Sequence, residues 1–145
     1  MSYQDFLTQW LGKEYEESTA DWYQCVALVK LYIEQVDWIQ LGWFGGTAFN
    51  GWETGSPFDS NWERVLNSPT AIPPLWAVVF FKPYAADPAG HVAIAAEGCT
   101  STQLNVIEQN AGNGNGDGKV SDGNCIRLHT YNYETPVCLW WFMYK

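Results

Sequence analysis

The chain shows two kinds of hydrophobic periodicity, helical in its first part and strand-like in its second. In residues 4–12 (QDFLTQWLG) the apolar side chains recur at helical spacing, and Gly12 follows them as a stop signal. The same spacing predicts a second helix over residues 21–36 (DWYQCVALVKLYIEQV), with one cysteine, Cys25, near its start. The apolar stripe of this second helix is formed by Val26, Val29, Ile33 and Val36.

Beyond Pro73 and Pro74 the pattern changes to short strand-like runs. These runs are WAVVFFK (76–82), HVAIAA (91–96), LNVIEQN (104–110), CIRLHTY (125–131) and CLWWFMY (138–144). Helices that precede strands along a chain are typical of an α+β fold with an antiparallel sheet. The sequence therefore predicts a single α+β domain over residues 1–145.

The segment between the two parts is rich in glycine and aromatic residues. Residues 42–61 are predicted to be a loop, with a short helix around 59–66 (DSNWERVL). The aromatic side chains Trp43, Phe44, Phe49 and Trp52 can line a substrate groove beside Cys25. The alternative is a loop that its own aromatic residues hold in place.

Composition narrows the classes of function. A chain of 145 residues with 47% hydrophobic and 16% charged residues is typical of a folded domain. A net charge of −9 repels nucleic acid phosphates and anionic membrane surfaces, so neither is an expected partner. No apolar run is long enough to cross a bilayer, and MSYQDFLTQW lacks the basic and apolar regions of a signal peptide.

The four cysteines leave several roles open. Their spacing does not match a structural zinc site, and without a signal peptide a disulfide framework is not expected. A bridge between Cys125 and Cys138 across a hairpin is the alternative. Cys25 itself can be a buried apolar residue, half of a disulfide, a metal ligand or a nucleophile.

Candidate chemistry comes from two of the strands. In HVAIAA, alternation places His91 on a face with small residues, and in LNVIEQN it places Glu108 and Asn110 on one face. If these strands pair as a hairpin, His91 can lie beside Glu108 or Asn110. A cysteine at a helix start, a histidine and an orienting carboxylate or amide are the parts of a cysteine-nucleophile site. An inert core cysteine and a structural histidine are the alternatives.

The motifs YQC, GHVAIA and VIEQN, in this order, resemble the CHAP family of cysteine, histidine-dependent amidohydrolases and peptidases. This family consists of papain-like domains of phage lysins and bacterial wall hydrolases. The resemblance implies that Cys25 is the nucleophile and His91 the general base, which Glu108 orients with help from Asn110. It also implies an oxyanion hole formed by the Gln24 side chain and the Cys25 backbone N–H. His129 is the fallback base.

The reaction implied by the resemblance is acyl transfer on an amide bond of peptidoglycan, without a cofactor. The bond is either the N-acetylmuramoyl-L-alanine link or a peptide bond of the stem or cross-bridge. A wall-binding domain is not expected in this chain, so a separate wall-binding subunit or virion component is an expected partner. The protein would reach the wall from the host cytoplasm through a holin pore, or within a virion. A non-catalytic glycan-binding module and a cysteine protease acting on proteins are the alternative functions.

Metal binding is not expected. Many CHAP domains hold calcium with aspartates near the catalytic cysteine, whereas Glu16, Ser18 and Ala27 stand at the matching positions here. The loop NGNGDGKVSDGN (113–124) resembles a calcium loop at Asn113, Asn115 and Asp117. It lacks the first aspartate and the bidentate glutamate of such loops, so a glycine-rich connection between strands is the favoured interpretation.

Overall fold

A computed structural model describes residues 1–15, 25–39, 47–54, 58, 60–83, 85, 88–109, 125–134 and 138–145, without the side chains of residues 139 and 140. The helices of these residues are α1 (Tyr3–Trp10), α2 (Cys25–Asp37) and α3 (Ala48–Thr54). The strands are β1 (Trp62–Leu66), β2 (Val78–Phe81), β3 (His91–Ala95), β4 (Leu104–Glu108), β5 (Arg127–Tyr131) and β6 (Cys138–Tyr144). The strands form one antiparallel sheet in the order β1-β6-β2-β3-β4-β5.

Helix α2 packs against the centre of the sheet, above β3. Alternation along each strand sends every second side chain toward the helices and the others toward the opposite face. The cluster on the helix side is formed largely by Leu28, Val29, Tyr32, Ile33, Val78, Phe80, Val92, Ile94 and Ile107. The cluster on the opposite face includes Val79, Phe81, Ala93, Ala95, Val106 and Trp141. The sheet core therefore has two apolar sides, and β3 lies between them.

Residues 12–15, which follow α1, are anchored to the ends of β4 and β5. After α1, the Gly12 N–H donates to the Ile126 carbonyl at 2.9 Å, and the Ile126 N–H donates to the Lys13 carbonyl at 2.8 Å. The fully buried Gln109 side chain then binds both backbone groups of Tyr15, accepting from its N–H and donating to its carbonyl, each at 2.8 Å. These contacts hold the segment that leads toward Cys25.

The predicted α+β fold is confirmed. Both predicted helices are present as α1 and α2, although residues 21–24 of the second prediction lie outside the described residues. Each of the five strand-like runs contains a strand, which is shorter than the run in four cases and has the same bounds in β6. The helix predicted over residues 59–66 is wrong, because Trp62–Leu66 is β1 and pairs with β6 along its whole length. The loop predicted over residues 42–61 contains α3. On α2, the buried face is broader than the predicted stripe: Leu28 and Tyr32 are fully buried, whereas Val26 is only partly so. None of the described helices is long and apolar enough to span a bilayer.

Candidate active site

Cys25 and His91 meet where the first turn of α2 lies over the start of β3. Cys25 is the first residue of α2 as described, and His91 is the first residue of β3. Their side chains are joined by a hydrogen bond. Each keeps just under a tenth of its surface exposed, 8% for Cys25 and 9% for His91. Both side chains are therefore largely buried in the described residues.

Glu108 lies behind His91, at the end of β4. Pairing of Ile94 with Ile107 and of Ala95 with Val106 brings the end of β4 beside the start of β3. His91 Nε2 and Glu108 Oε2 are 3.1 Å apart, and the Glu108 side chain is fully buried. Because a carboxylate only accepts, Nε2 is the donor in this bond. This leaves Nδ1 as the ring nitrogen available to Cys25.

The imidazole ring is also fixed by its neighbours on β2. Phe81 is the cross-strand partner of His91, and the two rings stack with centroids 5.7 Å apart. Gly90, which precedes His91, has φ of +69°, and a Cβ there would lie 3.2 Å from the Phe81 carbonyl oxygen. Only glycine adopts this left-handed backbone readily, so it lets the chain enter β3 close against β2.

Two further side chains hold Glu108 from the far side. Arg127, the cross-strand partner of Glu108, places Nε 3.0 Å and Nη2 2.9 Å from Oε1. The Tyr131 hydroxyl lies 2.8 Å from Oε2 and 3.0 Å from Oε1. The buried carboxylate thus contacts His91, Arg127 and Tyr131 at once.

These contacts set the charges of the site. Burial alone would lower the pKa of His91, but the hydrogen bonds and negative charges of Cys25 and Glu108 outweigh it and raise this pKa to about 10. Burial acts to raise the pKa of Glu108, but His91, Tyr131 and Arg127 together lower it. At neutral pH His91 is therefore an imidazolium paired with the Glu108 carboxylate, and it contacts the Cys25 side chain as well.

The arrangement has the parts needed for acyl transfer. A cysteine beside a histidine combines a nucleophile with a group that can carry its proton, and the buried carboxylate keeps the ring in one orientation. The described groups can therefore attack a carbonyl carbon and protonate a leaving group.

Several predicted residues lie outside the described part of the chain. They are Gln24, Asn110, Trp43, Phe44, Asn113, Asn115 and Asp117. Trp52 is described: it lies in α3, stacks on Phe49 with centroids 5.1 Å apart, and has the Arg64 guanidinium 4.9 Å from its ring centre. Trp52 therefore packs against Phe49 and Arg64, and a substrate groove lined by Trp43, Phe44 and Trp52 stays a prediction.

The other histidine occupies a different environment. His129 lies in β5 with its ring centroid 4.4 Å from that of Tyr131, and it lines a groove with Tyr3 and Glu97. His91 is the histidine that bonds with Cys25. All four cysteines, each in the described part of the chain, are free thiols. Within the described residues, no three His, Cys, Asp or Glu side chains are grouped closely enough to hold a metal ion.

Arg127, Tyr131 and Gln109 were not identified from the sequence. The signal for the first two is the alternation in RLHTY, which places Arg127 and Tyr131 on one face of a strand. If the neighbouring strand carries a buried carboxylate, that carboxylate needs a partner of opposite charge, which an arginine at this position can supply. The sequence gives no comparable signal for Gln109, because its partner is the backbone of a residue far along the chain.

Comparisons with known proteins concern the fold. No family model matches the chain, and no curated protein matches it in sequence. The wild-type endolysin LysIME-EF1 is similar in structure, with a TM-score of 0.71 and 16% identity over 96% of this chain and 61% of that one. Ly7917 follows with a TM-score of 0.62 and 17% identity over 95% and 59%.

An N-acetylmuramoyl-L-alanine amidase from Staphylococcus aureus has a TM-score of 0.56 and 22% identity, over 91% of this chain and 34% of that one. The α+β fold described above is therefore shared with an endolysin and an amidase. The chain spans less than two thirds of the length of each of these proteins.

Proposed function

We propose that this protein is a peptidoglycan hydrolase of the CHAP type, which cleaves an amide bond through a Cys25 acyl-enzyme. The observation that carries the proposal is the contact of Cys25, His91 and Glu108 at one end of the sheet. The shared fold supports the substrate class, because the similar structures include an endolysin and a muramoyl-alanine amidase.

The proposed reaction has two halves. His91 carries the proton that Cys25 has given up, and the resulting thiolate attacks the amide carbonyl carbon to form a C–S bond. The oxyanion is held by the Gln24 side chain and the Cys25 N–H, as the resemblance to CHAP domains implies. The C–N bond then breaks as the His91 imidazolium protonates the leaving amine. In the second half His91 takes a proton from water, which attacks the thioester and releases the acid and the Cys25 thiol.

The test is mass analysis of fragments released from purified peptidoglycan. Wild type is expected to release fragments, and Cys25→Ala and His91→Ala are expected to release them at least a thousandfold more slowly, as for other residues that act as a unit. Cys99→Ala and His129→Ala are the matched controls and should keep wild-type rates. If Cys25→Ala gives the same fragments, the assignment of the nucleophile is wrong.

The same digest identifies the bond. An amidase leaves a free amine on the first alanine of the stem, whereas an endopeptidase leaves it within the stem or cross-bridge. Cleavage of casein with intact walls untouched would favour a protease acting on proteins. Binding to walls without any release would favour a non-catalytic glycan-binding module.

We further propose that a separate wall-binding subunit or a virion component brings the protein to the wall.

A further inference from the structure

The carboxylate of Glu108 contacts three side chains at once. It is fully buried, and His91, Arg127 and Tyr131 all reach it within 3.1 Å. An ionised carboxylate without partners in such a place would take up a proton. A protonated Glu108 would have no negative charge with which to hold the imidazolium. Something other than His91 must therefore keep this group ionised while the charge of His91 changes.

Arg127 and Tyr131 have the geometry for that task. The Arg127 guanidinium approaches Oε1 with both Nε and Nη2, so it can rotate little without losing a contact. The Tyr131 hydroxyl spans both oxygens, and its ring packs on Phe81, 5.3 Å between centroids. Phe81 in turn stacks on His91. The same tyrosine thus touches the carboxylate and the ring that supports the imidazole.

The signs of charge alternate through the group. His91 as imidazolium, Glu108 as carboxylate and Arg127 as guanidinium follow one another in contact. The buried carboxylate therefore lies between two groups of opposite charge, which offsets the cost of removing it from water. Removal of Arg127 would take from Glu108 one of these two cationic neighbours.

We propose that Arg127 and Tyr131 are positioning residues for this site, which hold Glu108 ionised and aimed at His91 Nε2 so that Nδ1 faces Cys25. The inference rests on the proposed function, in which Cys25 and His91 carry the reaction. Neither residue touches the substrate; both act through Glu108.

The test measures Cys25 directly, without peptidoglycan. The second-order rate of alkylation by iodoacetamide is followed from pH 4 to 10 in wild type, Tyr131→Phe, Arg127→Met and Arg127→Lys. Tyr131→Phe removes one oxygen, and a rate about tenfold lower at neutral pH is expected for loss of one hydrogen bond to a charged group. Arg127→Met should lower the alkylation rate further. Arg127→Lys should lower it less than Arg127→Met, because lysine restores the positive charge but cannot reach Oε1 with two nitrogen atoms.

The pH profile separates positioning from a merely structural role. Glu108 has a lowered pKa, so its ionised form is lost as pH falls through its folded value. Without Arg127 or Tyr131 that value rises, and the acidic limb of the profile should move to higher pH by about one unit or more. In peptidoglycan digestion the same variants should lower kcat and leave KM unchanged.

Tyr133→Phe and Arg64→Lys are the matched controls, since Tyr133 donates to the Thr100 carbonyl and Arg64 to the Trp52 carbonyl. Both should keep the wild-type profile. Folded Tyr131→Phe and Arg127→Lys proteins with unchanged rates and an unmoved acidic limb would overturn the inference. Because alkylation needs no wall substrate, the inference can stand or fall even if peptidoglycan proves not to be cleaved.

Discussion

At the residue scale, Gly90 controls how closely β3 approaches β2 just before His91. Its φ is +69°, and an added Cβ would meet the Phe81 carbonyl oxygen at 3.2 Å and Pro83 Cγ at 3.3 Å. Gly12 is a matched case with φ of +77° and nothing within 4 Å of the added atom. Both glycines therefore have a left-handed backbone, but only Gly90 has atoms close to the position of an added Cβ.

We expect Gly12→Ala to lower the free energy of unfolding by about 1 kcal/mol, the cost of a left-handed alanine. Gly90→Ala should lower it by about 2–3 kcal/mol, because the carbonyl of Phe81 cannot easily move away. Urea denaturation followed by circular dichroism measures both. Only Gly90→Ala should also slow peptidoglycan cleavage, since it shifts His91. Equal losses of stability would show that crowding at Gly90 is unimportant.

The sequence allowed the three central groups to be predicted but not the groups behind them. Cys25 at a helix start and His91 in an alternating strand are local patterns, and Glu108 follows from pairing of neighbouring strands. Arg127 and Tyr131 depend on a further pairing, between β4 and β5, whose register the sequence does not specify. A residue of the site was therefore harder to predict when more strand pairings lay between it and Cys25.

At the element scale, dependence on a distant strand pairing also explains why the helix predicted over residues 59–66 is wrong. Trp62, Val65 and Leu66 are spaced as on a helix, and the segment begins with residues that commonly cap one. Its strand conformation comes from β6, where Trp62 pairs with Tyr144 and their rings meet at 5.4 Å. β6 lies near the C-terminal end of the chain, far from β1 in sequence, so tertiary pairing overrides the local preference for a helix.

Gln109 at the end of β4 yields a prediction about the segment before Cys25. Its amide binds both backbone groups of Tyr15, and the side chain is fully buried. Gln109→Ala should lower the free energy of unfolding by about 1–3 kcal/mol, because two buried hydrogen bonds lose their partner. It should also increase hydrogen exchange at the Tyr15 amide.

Gln103→Ala is the control for this experiment, because Gln103 is exposed. It should leave both stability and exchange unchanged. Unaltered protection of the Tyr15 amide in Gln109→Ala would mean that other contacts of Tyr15 hold the segment. Cysteine alkylation in the same variant would then report how far the anchor matters for Cys25.

At the scale of the whole molecule, the net charge of −9 opposes approach to a polyanionic wall. Between about 0.01 M and 0.15 M salt the Debye length falls from about 30 Å to about 8 Å, so the repulsion is screened. We expect the rate on intact Gram-positive walls to rise severalfold over this range. The rate on short peptidoglycan fragments, which carry few charges compared with an intact wall, serves as the control and should change little. A steep fall with added salt on walls would contradict this account.

The position of Gln109 beside Glu108 also bears on how the protein folds. Glu108 is the last residue of β4 and Gln109 follows it, so this end of the strand holds both the carboxylate behind His91 and the amide that anchors Tyr15. Helix α2 consists of contacts close in sequence, whereas His91, Glu108 and Arg127 lie in strands much later in the chain. Long-range pairing forms slowly compared with a helix. In a chain emerging from the ribosome, Cys25 would therefore remain without these neighbours until β3, β4 and β5 have joined the sheet.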